Sequence, residues 1–130
     1  MRPILSLFAA IWMVAAPVAA ADLPDVHVDV PHNAKNMEVN VVEHDIAAGQ
    51  TVNWHIHHGT EIAYVLSGAI NLQIAGGPIR HIAQGEWVQI DPNTPHRAMN
   101  EGTETARLLI TYRRDKAGPL TIPVAAPTVH

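Results

Sequence analysis

A chain of 130 residues with twelve acidic and eight basic side chains carries a formal charge of −4, the wrong sign for binding along a phosphate backbone. It has no cysteine, which excludes both a disulfide framework and lipid attachment at a thiol. Its length is that of a single domain with a modest core.

Residues 1–21 read as a secretory signal peptide. Arg2 precedes an apolar run from Ile4 to Ala16, Pro17 interrupts it, and Ala19, Ala20 and Ala21 supply the small residues of a cleavage site. The run is shorter than the ~20 residues of a spanning helix, so no stable membrane association is expected after cleavage. The mature protein is expected in a periplasm or outside the cell, with seven basic residues against twelve acidic ones, a charge of −5.

Residues 22–38 are polar with little pattern and are expected to form a flexible N-terminal arm. From 39 to 115 short apolar or alternating runs follow one another, separated by Gly, Pro and Asn, and no stretch keeps helical periodicity for three turns. The pattern predicts an all-β domain with strands at Met37 to Glu43, Thr51 to His57, Glu61 to Leu66, Ala69 to Ile74, Trp87 to Ile90, His96 to Asn100 and Thr105 to Arg113. Gly49, Gly68, Gly76, Gly85 and Asp91-Pro92-Asn93 supply the turns. Strands so short and evenly spaced suggest a barrel or a sandwich. Residues 116–130 form a Pro-rich tail, with Pro119, Pro123 and Pro127 barred from a central strand. Like the N-terminal arm, it is expected to be flexible, either extended over the barrel or partly disordered. Arg113, Arg114 and Lys116 make a short basic run at a strand end, read as a solvated edge rather than a nucleic-acid patch.

The chemistry lies in the histidines. His55 and His57 sit two apart on a strand, so both imidazoles face one way. Glu61 follows across the turn-length segment His58-Gly59-Thr60 and opens the next strand, near the same end of a hairpin. His96 begins a later strand and can supply a third imidazole. Imidazole nitrogens with one carboxylate oxygen suit a divalent Fe, Mn, Ni, Zn or Cu ion. The plain reading of His27, His32, His44, His81 and His130 is core or surface. His58 points away from His57, in a surface or supporting role. Trp54, Ile56, Tyr64 and Leu66 are expected to pack between sheets. Gln73 and Gln89 fit either face, and Asn100 is either a turn residue or a side chain reaching the pocket.

The segment from Gly49 to Gly68 resembles the first cupin motif, G-x5-H-x-H-x3-E-x6-G, at Gly49, His55, His57, Glu61 and Gly68. Five fixed positions match by accident roughly once in ten thousand chains of this length. The second motif, G-x5-P-x-G-x2-H-x3-N, is matched at Gly85, His96 and Asn100, with Asp91 where the family has Pro and Asn93 where it has Gly. Asn is the commonest substitute for Gly at a left-handed position, and Pro92 still stiffens the turn. The resemblance is to the small single-domain cupins of the type-2, RmlC-like superfamily and covers Val39 to Tyr112. It implies a jelly-roll β-barrel with one metal inside, held by His55, His57, Glu61 and His96, and frequently a homodimer.

With a single serine in the mature chain, Ser67, and no cysteine, covalent catalysis is poorly supported and any chemistry belongs to the metal. Similarity to cupins implies a dioxygenase, isomerase or lyase acting on a small oxygenated molecule that chelates the ion. Glu61 is the candidate catalytic residue, as a ligand or as a general base. The alternative is a binding module without turnover that captures a metal or a small metal-bound molecule. A roomy apolar cavity with an ionisable group beyond the ligands favours the enzyme.

Overall fold

The computed structural model describes residues 36–128, so the signal-peptide reading of residues 1–21, most of the N-terminal arm and His27, His32 and His130 lie outside the described residues. Nine strands and no helix are present among them: β1 (Met37–Ile46), β2 (Thr51–Ile56), β3 (Gly59–Ser67), β4 (Ala69–Ile74), β5 (Ile79–Ala83), β6 (Trp87–Ile90), β7 (His96–Met99), β8 (Ala106–Asp115) and β9 (Ile122–Pro123). No helix of the described residues is long and apolar enough to cross a membrane.

The strands form two antiparallel sheets, one ordered β1-β8-β3-β6 and the other β5-β4-β7-β2-β9. This is a jelly roll of two facing sheets. Alternation on β8 buries Ala106, Leu108, Ile110 and Tyr112, and on β3 it buries Glu61, Ala63 and Val65. Opposite them lie Ile70 and Leu72 of β4, Ile82 of β5 and the partly buried Val52 and Ala98. Removing these side chains from water supplies the main stabilisation, roughly 1.5–3 kcal/mol for each large one.

Two strands were missed by the periodicity. On β5 only Ile82 is buried, and Arg80 and His81 break the apolar pattern. β9 is two residues long and contains Pro123, yet it pairs with β2 at the edge of its sheet, where a residue lacking N–H costs no ladder bond on the solvent side. The tail therefore adds an edge strand rather than remaining only an arm. Trp54, Ile56, Tyr64 and Leu66 differ from expectation as well. They have the opposite parity to the buried residues of their strands and lie half-buried on the outer faces, not between the sheets. Arg97 lies over the Trp54 ring at 5.3 Å. Nor is the basic run merely solvated: Arg114 is largely buried, pairs with Glu38 at 2.7 Å and donates to the Gly118 carbonyl.

Turn chemistry follows the sequence. Asn93 is the one non-glycine with positive φ among the described residues, at 60°, so it stands in the left-handed conformation that the family fills with Gly. Gly59 is required for a different reason. A Cβ there would sit 2.2 Å from the Arg113 carbonyl oxygen, because β3 and β8 approach closely where β3 begins. Gly59→Ala is expected to destabilise the fold by about 1–3 kcal/mol. Chemical denaturation measures this, and an unchanged midpoint would refute the close approach.

Candidate metal centre

β2 carries an irregularity that decides the site. Val52 pairs with Ala98 and His55 with His96, so three steps on β2 oppose two on β7. The extra residue is a β-bulge, and it resets the side-chain parity. Val52 and His55 both face inward although they are an odd number apart, and His55 comes to stand directly across from His96. Their ring centroids are 4.2 Å apart. His57 lies just past the end of β2, 4.9 Å from His55, and Glu61 reaches in from β3.

The structure thus brings together all four residues expected as ligands. His55, His57, Glu61 and His96 are buried, and one ligand atom from each lies within 4.8 Å of the others. Each imidazole is oriented by a backbone carbonyl: His55 Nδ1 donates to Asn53 O at 2.6 Å, His57 Nδ1 to Leu120 O at 2.6 Å and His96 Nδ1 to Thr94 O at 2.8 Å. A carbonyl only accepts, so each Nδ1 carries the proton and each Nε2 presents a lone pair to the cluster. With all three rings neutral, three lone pairs and a carboxylate face one another without a donor, and either a proton on His57 Nε2 or a cation relieves this.

His57 Nε2, Glu61 Oε2 and His96 Nε2 are buried with no hydrogen-bond partner. His57 Nε2 and Glu61 Oε2 are 2.8 Å apart and His96 Nε2 is 3.3 Å from the same oxygen, which are ion-pair distances without hydrogen-bond alignment. Orphaned buried acceptors are costly, and a cation satisfies all of them at once. The residues present fit a divalent ion.

Electrostatics agree. Burial would raise the Glu61 pKa, but His57 and His96 outweigh it and hold the carboxyl at about 2. Burial also works against charging His57, yet Glu61 and the Leu120 carbonyl raise its pKa above 6.5. His55 is lowered by burial, with His96 and His57 adding to the effect, so it stays neutral and ready to ligate. Burial and then Glu61 push the Tyr112 phenol up, keeping it protonated.

The remaining candidates sort clearly. His58 is exposed and contacts Asn93 Oδ1 at 2.5 Å, outside the cluster. Asn100 is buried but does not reach the pocket: it donates to Ile46 O and Glu104 O and accepts from Gly102 N, stapling a turn. Gln89 is exposed beside Asp91, and Gln73 accepts from Arg97 on the outer face. His81 is a surface residue against Asn71, as expected. His44, in contrast, lines the mouth of the internal cavity.

That cavity, about 200 Å³, has His55, Glu61 and His96 of the cluster at one side and walls of Val52, Ala63, Ile70, Leu72, Val88, Ile90, Leu108 and Ile110. Tyr112, whose ring lies 4.7 Å from His57, also lines it. Two larger clefts, one beside Glu101–Glu104 and one along Trp54 and Arg97, contain none of the ligands. Sequence reasoning missed Tyr112, although the alternation of β8 places it on the face of Leu108 and Ile110. It also missed the Leu120 carbonyl, for which a backbone atom leaves no residue signature.

Two outcomes follow for this site. Removal of residues 119–130 frees the His57 ring and should weaken metal affinity by roughly 10–100-fold, measured by competitive chelator titration; unchanged affinity would refute the role of Leu120. The second concerns pH. In metal-free protein the Glu61 contribution is present above its ordinary 4.5 and lost as pH falls towards 2, while that of His57 is present below 6.5 and lost as pH rises through its raised value. A cation must displace the His57 proton, so the rise in Tm on adding Zn²⁺ should grow as pH increases through the imidazole range. A pH-independent rise would contradict it.

Known proteins bear on this geometry. The family model for the cupin domain matches residues 42–112. An uncharacterised conserved protein with a double-stranded β-helix domain from Klebsiella pneumoniae is 26% identical, with a TM-score of 0.58 over 66% of this chain and 76% of that one. Oxalate oxidase in complex with the substrate analogue glycolate is 27% identical, with a TM-score of 0.57 over 68% of this chain and 46% of that one. The polyketide cyclase RemF from Streptomyces resistomycificus, at 22% identity, shares the fold with a TM-score of 0.58 over 67% of this chain and 61% of that one. This chain therefore spans about half the length of the oxalate oxidase. No curated protein matches the chain. The family match runs from β1 to β8 through all four converging side chains and covers more than half of the sequence, and the chain belongs to the cupin family.

Proposed function

We propose that this protein is an exported, divalent-metal-dependent enzyme acting on a small oxygenated substrate that chelates the ion, by dioxygenase, isomerase or lyase chemistry. One observation carries the reading: four ligand atoms converge, and three of their residues, His55, Glu61 and His96, border an apolar cavity that also holds ionisable groups beyond the ligands, His44 and Tyr112. That combination favours turnover over a binding module, which needs only the ligands. The oxalate oxidase and polyketide cyclase among the structural neighbours support a small-molecule ligand.

A bound ion of the Fe, Mn, Ni, Zn or Cu class supplies Lewis acidity and, where redox-active, electron transfer. His55, His57, Glu61 and His96 hold it. With its pKa near 2, Glu61 suits the ligand role better than that of general base, which works best near the operating pH. Tyr112 stays neutral and offers a proton donor in the cavity, while the apolar walls exclude water from the substrate. A second copy of the chain as partner belongs to the same proposal, supported by the exposed Val39 and Val41 of β1; light scattering that gives a monomer mass would remove it.

Elemental analysis should find about one transition metal per wild-type chain. His57→Ala should lose it and melt at lower temperature, since the remaining buried ligands stay unpaired, whereas His58→Ala should keep it. Equal metal content in wild type and His57→Ala would refute the site. An oxygen-uptake and product screen with small diketones, phenols and uronates then tests catalysis; metal-loaded protein that binds but converts none of them leaves the module reading in its place.

A further inference from the structure

We infer that the substrate of this site is a small, neutral or singly negative oxygen chelate with an apolar body, and that the cavity wall discriminates against dicarboxylates. The inference rests on the metal-site reading above and narrows its substrate class.

Charge sets the first limit. A divalent ion paired with the single carboxylate of Glu61 leaves one net positive charge, because the three histidines donate neutral Nε2 lone pairs. One negative charge on the ligand neutralises the centre. A second one meets no permanent cation: among the described residues no Lys or Arg lines the cavity. The nearest polar groups besides the ligands are His44, Tyr112 and Thr121. An unneutralised negative charge among Leu, Ile and Val walls loses hydration that those walls do not replace.

Size and shape set the second limit. At about 200 Å³ the cavity is smaller than the roughly 300–1,000 Å³ of sites for drug-sized ligands, too small to enclose a nucleotide sugar or other large conjugate whole. Its entrance is marked by β1. Val42 and His44 pair with Ile110 and Leu108 and share their inward parity, yet both are exposed, Val42 by 37%. Inward-facing side chains in contact with solvent define a mouth. Leu120 and the exposed Thr121 of the tail also line the cavity. A ligand that enters past Val42 and binds the ion has its chelating oxygens leading and its apolar end trailing towards the mouth.

Acetylacetone and malonate test this, because each closes a six-membered chelate ring, acetylacetone as a monoanion once it loses a proton and with methyl groups at its ends, malonate as a dianion with a further oxygen on each carboxylate. Protein loaded with Ni²⁺ is titrated calorimetrically with each, with metal retention checked afterwards and each affinity scaled to that for aqueous Ni²⁺. On this scale acetylacetone should exceed malonate by roughly tenfold or more. Val42→Lys, which adds a cation at the mouth, should narrow the gap by about tenfold, while Ile79→Lys, the same charge on the exposed surface of β5 outside the cavity lining, should leave it unchanged. Malonate binding as well as acetylacetone, or equal effects of the two lysines, overturns the inference while retained Ni²⁺ keeps the metal site. A chain that takes up no Ni²⁺ overturns both.

Discussion

Three backbone carbonyls, those of Asn53, Thr94 and Leu120, each accept a hydrogen bond from the Nδ1–H of a buried histidine, and the domain is arranged around that constraint. Fixing the outer nitrogen fixes the tautomer of the ring, so the inner nitrogens of His55, His57 and His96 have only lone pairs to offer. Adding the Glu61 carboxylate makes a cluster of acceptors without a donor, which a folded chain leaves unstable unless a proton or a metal ion joins it.

Each carbonyl comes from an irregular piece of backbone, since carbonyls in a regular ladder are already engaged. Asn53 lies in the bulge of β2, Thr94 in the turn before β7 that Asn93 makes possible, and Leu120 in the stretch leading to β9. The regular strands do the complementary work. They bring β2, β3 and β7 into two facing sheets whose inward residues are otherwise almost all apolar, so the polar cluster is set at one side of a largely apolar cavity. Low local polarity strengthens every electrostatic interaction there. It also makes the wall unforgiving of any charge that the cluster does not neutralise.

The same arrangement divides the labour between parts of the chain. The core of β3 and β8 supplies rigidity and the close approach at Gly59, which holds Glu61 in register. The edges, β1 on one sheet and β9 on the other, supply access and support: Val42 and His44 border the entrance, and the tail orients His57. Stability and chemistry thus draw on different strands, a division common in all-β scaffolds that carry sites at their open side.

Much of this was written locally. The spacing of His55, His57, Glu61 and His96, the alternation of β3 and β8 and the left-handed demand met by Asn93 depend on neighbours in the chain, so the all-β fold and the four side chains could be read from sequence. What depended on contacts between distant segments could not. The bulge that sets His55 against His96 is a register mismatch between two strands, invisible in either one. The outward placement of Trp54 and Tyr64, the cavity-facing Tyr112, the mouth at His44 and the capture of His57 by a carbonyl 63 residues away are products of packing. Residue types announce which atoms can hold an ion; only the tertiary structure decides where those atoms point, because orientation is settled by backbone carbonyls that any residue could have supplied.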